Sequence, residues 1–267
     1  MPEGDTVYKL AAYLDIRLRG RRLAAGSRVA AAAHLALRGR TVERVVARGK
    51  HLWVELDHGP ALRSHLGMHG SWHRYAPGEP WQRDAGRASI VLVTGDALFV
   101  CFDAMEVEAV RPESVRAHQL AARLGPDLAV AAIDVEGIEA RARAFLEPAE
   151  PLADVLLDQR VAAGIGNVYK SEVLFLCRIH PRTALGALTS RRLRALYETA
   201  HACLRRNLGR GPRSTRWVRD GRGRLWVYRR GGLPCLGCGT RIATARLGRG
   251  WRSTYWCPDC QPEPGRR

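Results

Sequence analysis

The chain has 267 residues, 46% of them apolar, which is long enough for one large or two modest domains and apolar enough to bury a core. Its 43 Lys and Arg against 26 Asp and Glu give a formal charge of +17, which sets aside an ordinary neutral metabolic enzyme and points to a polyanionic partner, nucleic acid first. Only Lys9, Lys50 and Lys170 among those bases are lysines. The segment from His201 to Arg267 holds sixteen arginines against Asp220, Asp259 and Glu263, so the excess is concentrated as a binding face requires.

The opening MPEGDTVYKL has no basic region followed by an apolar one, so no signal peptide is expected. No run reaches the ~18–20 apolar residues that span a bilayer, and a cytoplasmic protein with no membrane partner is expected. Val7, Leu10, Ala11, Leu14 and Leu18 recur at helical spacing and predict a helix over 5–19, with Asp5 or Thr6 as cap and Gly20 as stop. From about 39 to 110 the pattern is that of strands. LWVEL at 52–56 alternates, and the runs at 89–93 and 97–102 flank a Thr94-Gly95-Asp96 turn, predicting a hairpin. Leu124-Gly125-Pro126-Asp127 reads as a junction. Helices are predicted near 136–146, 151–163, 168–178 and 190–208, followed by a Gly- and Arg-rich stretch over 209–232 and a cysteine-bearing tail. Strands first, helices next and a small metal module last make an α+β arrangement in segregated blocks.

Seven cysteines in a reducing compartment argue for thiols or metal rather than disulfides. Cys235-x2-Cys238 and Cys257-x2-Cys260, eighteen residues apart, have the spacing of a zinc ribbon, and four thiolates around one Zn2+ make a closed, structural site. Cys101, Cys177 and Cys203 sit in apolar runs and read as core. Arg246, Arg249 and Arg252 lie between the cysteine pairs, where a zinc-held hairpin could present them to phosphates. His65, His69 and His73 are four apart but interrupted by Gly67 and Gly70. Along a strand this spacing spreads them over ~13 Å, too far to share one ion. In Gly164-Ile165-Gly166-Asn167 the asparagine reads as a helix N-cap, at a helix end that also suits a phosphate. Pro2 follows the initiator Met. Removal of Met1 would leave a secondary amine with a pKa of roughly 7.7–8.0, nucleophilic near neutral pH, with Glu3 beside it as proton carrier, although a Pro-Glu tail without chemistry would look the same.

MPEG at the start, RGKHL at 48–52, HLGMHG at 65–70, LGPDL at 124–128, LDQRVAAGIGNVYKSEVLF at 157–175 and the cysteine module occur in this order. This series resembles the formamidopyrimidine-DNA glycosylase/endonuclease VIII family over nearly the whole chain. The resemblance implies an N-terminal β-sandwich catalytic domain with a flanking helix (1–113), a helix-two-turn-helix DNA-binding domain (124–222) and a zinc-finger hairpin (228–262). It implies a monomer associated with the nucleoid, whose partner is damaged double-stranded DNA lying in a cleft, with one structural zinc and no nucleotide cofactor. Pro2 then resembles the family's Schiff-base nucleophile and Glu3 its proton donor. Lys50 corresponds to the lysine that assists β-elimination, Asn167 to a phosphate grip near the lesion, and Arg252 to the zinc-finger arginine of phosphate binding and δ-elimination. Met68 occupies the position that fills the gap left by a flipped nucleotide, and Arg123 is similar to a DNA-contacting arginine of the endonuclease VIII branch. Cys235, Cys238, Cys257 and Cys260 are the metal ligands. The implied activity is that of a bifunctional glycosylase/AP lyase acting mainly on oxidised pyrimidines. An oxidised-purine enzyme of the same fold, or a damage-binding protein with weak catalysis, are the alternatives. Two departures stand out. Thr6 replaces a second acidic residue, and Phe102-Asp103-Ala104-Met105-Glu106 lacks the Arg-Phe-Gly of the oxidised-purine branch.

Overall fold

A computed structural model of the chain describes residues 2–26 and 37–265. It divides into two compact units, Met1–Ala122 and Arg123–Arg267.

In the first unit, helix α1 (Gly4–Leu18) buries Val7, Ala11, Leu14 and Leu18 along one stripe. Its cap is Glu3, two residues before the first of the predicted ones. The Glu3 carbonyl accepts from Thr6 N at 2.9 Å and Val7 N at 3.1 Å, which leaves the side chains of Asp5 and Thr6 inside the first turn. Gly20, at φ +72°, ends the helix in the left-handed conformation that costs glycine least. The strands follow as β1 (Ala25–Gly26), β2 (Val42–Arg48), β3 (His51–Leu56), β4 (Ala61–His65), β5 (Ser71–Tyr75), β6 (Ala88–Val93), β7 (Leu98–Phe102) and β8 (Glu106–Val110). They form two antiparallel four-stranded sheets, in the orders β1-β6-β7-β5 and β2-β3-β4-β8. Val45, Val54 and Leu62 from one sheet, Ile90, Leu92 and Phe99 from the other, and Val7 and Leu14 from α1 share one core, so the unit is a β-sandwich with a flanking helix. The predicted β6–β7 hairpin is present, closed by Thr94 N donating to Ala97 O at 2.9 Å. Helix α2 (Val115–Ala122), which carried no clear sequence signal, ends the unit.

The second unit holds α3 (Val135–Phe145), α4 (Leu152–Val155), α5 (Asn167–Leu176) and α6 (Ser190–Arg206), then the antiparallel hairpin β9 (Ala243–Leu247) and β10 (Arg252–Trp256). The α+β order of the blocks is as expected. The helix predicted over 151–163 is not. It shrinks to the four residues of α4, because Asp158 Oδ1 accepts from Arg160 N at 2.9 Å and turns the chain away. The backbone beyond pairs with the Leu124–Leu128 motif instead: Gly125 N donates to Gln159 O at 2.8 Å and Ala163 N to Pro126 O at 2.9 Å. A Cβ on Gly125 would meet Val161 O at 2.4 Å, which explains the glycine at this crossing. Of the three lone cysteines, Cys101 and Cys203 are buried as expected and Cys177 is half-buried.

Nine of the ten residues of α5 are buried, Asn167, Lys170, Ser171 and Glu172 among them. The fully buried Glu172 carboxylate accepts from Trp226 N and Val227 N at 2.8 Å each, from Tyr228 N at 2.7 Å and from the Thr215 hydroxyl. Burial pushes this carboxyl up, and the four donors pull it back down. Phe175 packs with Trp226, Val227, Ile242, Cys235 and Cys257, so the same helix carries the apolar floor of the cysteine module. No helix among the described residues is long and apolar enough to cross a membrane. Truncating Glu172 would strand three amides and a hydroxyl, each unpaired group costing about 1–3 kcal/mol. Glu172→Ala is therefore expected to lose ~4 kcal/mol or more of unfolding free energy in urea, and Glu172→Gln less.

Candidate nucleic-acid interface and metal centre

In the N-terminal unit the expected residues stand at the ends of elements. Pro2 is half-buried and Glu3 fully buried immediately before α1. Asp5 is fully buried, 3.9 Å from Lys9 Nζ, and the half-buried Thr6 places its hydroxyl 3.5 Å from Asp5 Oδ1. Lys50 is half-buried in the two-residue turn between β2 and β3, where Arg48 faces His51. Gly49 takes φ +59° as the first turn residue, which matches a type II′ hairpin turn. Met68 is 52% exposed at the tip of the turn between β4 and β5, closed by Gly70 N donating to Leu66 O at 2.9 Å. His65, His69 and His73 lie on β4, on that turn and on β5 respectively, so they do not share one strand.

Next to Lys50 is a polar cluster that the sequence reading missed. Arg63, 1% exposed on β4, donates to Glu108 at 2.6 Å, to Glu106 and to His51 Nδ1 at 2.7 Å. Arginine only donates, so His51 Nδ1 is the acceptor and the proton of the neutral ring sits on Nε2. Burial pushes His51 down to about 3, helped by His65, whose ring centroid is 4.8 Å away, and by Arg63. His65 is lowered by burial as well. Both imidazoles are neutral near pH 7, and Glu106 is held below the usual carboxylate range, chiefly by its bond from Arg63. The alternation of Arg63 and His65 with Glu106 and Glu108 across paired strands was the only available signal. A second omission is Met105. It is 62% exposed, and a Cβ on Gly67 would come within 2.9 Å of its own Cβ.

In the C-terminal unit, Asn167 is the first residue of α5 and not its cap. Gly166 takes the cap position with extended backbone. The Asn167 side chain is used elsewhere. Its Nδ2 donates to Ser253 O of β10 at 2.7 Å, and its Oδ1 accepts from Lys170 Nζ at 2.6 Å. Lys170, 1% exposed, also donates to the Thr254 hydroxyl at 2.7 Å. Lysine only donates and a carbonyl only accepts, so the amide orientation is fixed and one N–H of Nδ2 remains to be directed. Sequence reasoning counted Lys170 only as one of three lysines. Behind Asn167, Gln159 braces the glycine loop, donating to Ile165 O at 3.1 Å and accepting from Gly164 N at 3.1 Å. Arg252, the first residue of β10, is exposed, and its stem packs at 3.4 Å from where a Gly250 Cβ would be. Arg123 is exposed in the turn after α2.

The sulfurs of Cys235, Cys238, Cys257 and Cys260 lie within 4.8 Å of one another. Separations of 4.0 Å for Cys235–Cys260, 3.4 Å for Cys238–Cys257 and 3.5 Å for Cys238–Cys260 bracket the ~3.8 Å edge of a tetrahedron with Zn–S near ~2.3 Å. The four thiols therefore fit a zinc ion with no position left open for chemistry. Gln261 locks the second pair, accepting from Cys257 N at 3.0 Å and donating to Ile179 O at 2.7 Å.

Residues 1–105 match the model of the formamidopyrimidine-DNA glycosylase N-terminal domain, and residues 124–218 that of the formamidopyrimidine-DNA glycosylase H2TH domain. A Streptomyces coelicolor protein named "Probable endonuclease 8 2" is 40% identical over 275 residues, covering 100% of this chain and 98% of the relative. A Mycolicibacterium smegmatis protein named "DNA-(apurinic or apyrimidinic site) lyase Nei2" is 40% identical over 267 residues, covering 98% and 99%. Among solved structures, the Lactococcus lactis formamidopyrimidine-DNA glycosylase bound non-covalently to AP-site DNA superposes with a TM-score of 0.84 at 23% identity, over 98% of this chain and 100% of that one. With two of its modules matched in order and relatives at 40% identity over full length, the chain belongs to the formamidopyrimidine-DNA glycosylase/endonuclease VIII family.

Proposed function

We propose that this protein is a bifunctional DNA glycosylase/AP lyase of base excision repair that removes oxidised bases, mainly pyrimidines, from duplex DNA. The observation that carries the reading is the N-terminus itself: Pro2 stands at the head of α1, next to a fully buried Glu3, in a chain whose relatives carry endonuclease 8 and AP lyase names. A glycosylase first extrudes the damaged nucleotide, at a cost of a few kcal/mol that weakened pairs reduce. With Met1 removed, the Pro2 nitrogen attacks C1′, the base leaves with its bonding electrons, and Glu3 manages the proton at the sugar. Loss of the Pro2 N–H proton, followed by cleavage of the C1′–O4′ bond with O4′ taking a proton from Glu3, opens the sugar to an iminium that acidifies the C2′ hydrogen. Removal of that proton expels the 3′ phosphate, with Lys50 assisting, and a second elimination expels the 5′ phosphate, with Arg252 on the phosphate. Asn167 and Arg123 hold the backbone and Met68 fills the vacated space. Zinc supplies no chemistry in this scheme; its four thiolates hold β10, and with it Arg252.

The absence of Arg-Phe-Gly at 102–106 supports the pyrimidine preference. Thr6 favours a second reading, retained AP-site binding with weak excision, because a hydroxyl does not carry a proton at neutral pH as a carboxylate does.

Borohydride trapping on duplex DNA with an abasic site is expected to give a covalent adduct with the native N-terminus and none when Met1 is retained ahead of Pro2. An adduct unchanged by that block would overturn the Schiff-base assignment. Duplexes with thymine glycol, dihydrouracil and 8-oxoguanine then separate the readings: excision of the pyrimidines before 8-oxoguanine is expected, and trapping without excision of any base would favour the second reading. Native mass spectrometry is expected to show one zinc, absent from Cys257→Ser. That variant should also bind duplex with a salt dependence shallower by ~0.9 for each phosphate that it no longer neutralises.

A further inference from the structure

The tip of the β9–β10 hairpin carries a feature that neither zinc nor Arg252 explains. Residues 248–251 form its turn, closed by Trp251 N donating to Gly248 O at 3.1 Å. Trp251 is 65% exposed and sits at φ +46°, a left-handed conformation that bulky side chains avoid and that costs on the order of 1 kcal/mol or more. A large aromatic in water on a strained backbone has no folding rationale. Glycine, which stands at 248 and 250 of the same turn, would remove both penalties.

The turn is also held rigidly. Asp154 of α4 accepts from Arg249 N at 3.1 Å, and its carboxylate lies so close to Gly248 that a Cβ there would meet Oδ1 at 2.0 Å. Arg249 Nε reaches Glu150 at 3.1 Å. Trp217, another exposed tryptophan, is covered by the Arg206 guanidinium at 3.7 Å from the ring centroid, whereas among the described residues no ring or guanidinium stacks on Trp251. A pinned turn therefore holds a bare indole one residue, ~3.8 Å of chain, from Arg252.

We propose that Trp251 is a DNA-contacting residue, whose indole packs on the face of a base or deoxyribose adjoining the phosphate that Arg252 grips. This rests on the glycosylase/AP lyase reading of the chain. The occupant is nucleic acid and not an apolar protein surface because arginines stand close to the indole along the hairpin: Arg249 and Arg252 on either side of it in the turn, and Arg246 opposite Ser253. Stacking on an aromatic side chain is tolerant of sequence and insensitive to salt, so it adds a grip that the arginines cannot provide.

The test compares Trp251→Gly, Trp251→Phe and Trp251→Leu with the native protein on abasic-site duplex, after the native protein has been shown to trap on that duplex. A native protein that does not trap overturns the enzymatic reading first. Trp251→Gly is expected to keep its zinc, to melt at or above the native Tm and to raise Kd about ten-fold or more, with an unchanged slope of log Kd against log salt. Arg252→Ala should instead flatten that slope by ~0.9. Trp251→Phe should recover most of the affinity and Trp251→Leu little of it. A Trp251→Gly variant within two-fold of native Kd overturns the proposal, and so does full rescue by leucine. If the glycine variant melts lower and also binds more weakly, the Phe and Leu pair decides, since both restore a side chain but only one restores a ring.

Discussion

Four donors converge on the Glu172 carboxylate, and three of them are consecutive backbone amides, at 226, 227 and 228, of the segment that leads into the cysteine module. A carboxylate buried in this way has no water to fall back on, so the segment and α5 keep one arrangement or suffer the full desolvation penalty. The hairpin is tied to the same helix by separate bonds. Five residues before Glu172, Asn167 reaches Ser253 O; two residues before it, Lys170 reaches Thr254; three residues after it, Phe175 underlies Cys235 and Cys257. One helix thus sets the position of the proposed phosphate grip, the strand that begins with Arg252, and the apolar floor of the metal site. The four sulfurs close the far side of the module and Glu172 closes the near side.

The N-terminal unit solves its positioning problem differently. Pro2, Lys50 and Met68 all stand at the ends of regular elements, before α1, in the β2–β3 turn and in the β4–β5 turn. Turns are where a side chain can be exposed without breaking a sheet, and here the sheet beneath them is stiffened by charge. Arg63 joins β3, through His51, to β4 and β8, so the turn that carries Lys50 and the loop that carries Met105 grow from one cross-linked set of strands. With His51 and His65 neutral, the positive groups bonded into this cluster are Arg63 and Arg116, the latter donating to Glu108 at 3.2 Å. Arg63 is matched by Glu106 and Glu108.

The sequence disclosed what depends on spacing. The cysteine pairs, the α1 stripe and the β6–β7 hairpin each rest on a local period, and each stands where it was expected. The helix over 151–163 failed because apolar periodicity cannot tell a continuing helix from a chain that leaves to pair with Leu124–Leu128, some thirty-five residues earlier. Asn167 was displaced from cap to first turn by one residue, since Gly166 can take the cap and free the amide for β10. Arg63, Lys170 and Glu172 were illegible for one shared reason. A charged residue is by default counted with the surface, and only partners far along the chain, Glu106 and Glu108 for the first and Thr254 and the 226–228 backbone for the others, reveal it as interior.

The same distinction changes what the basic tail means. Sixteen arginines after His201 suggest a uniform cationic surface, yet several are committed to the fold. Arg216, 3% exposed, pairs with Asp220, which also holds Arg222. Arg230 donates to Pro234 O at 2.8 Å and Arg241 to Gly232 O at 2.9 Å, both bracing the cysteine module, and Arg206 lies on Trp217. A guanidinium that caps a loop carbonyl or covers an indole still contributes to the long-range field that steers a duplex in, but its donors are already engaged. The charge of the tail thus measures its long-range field, whereas the count of arginines overstates how many keep their donors clear of the fold.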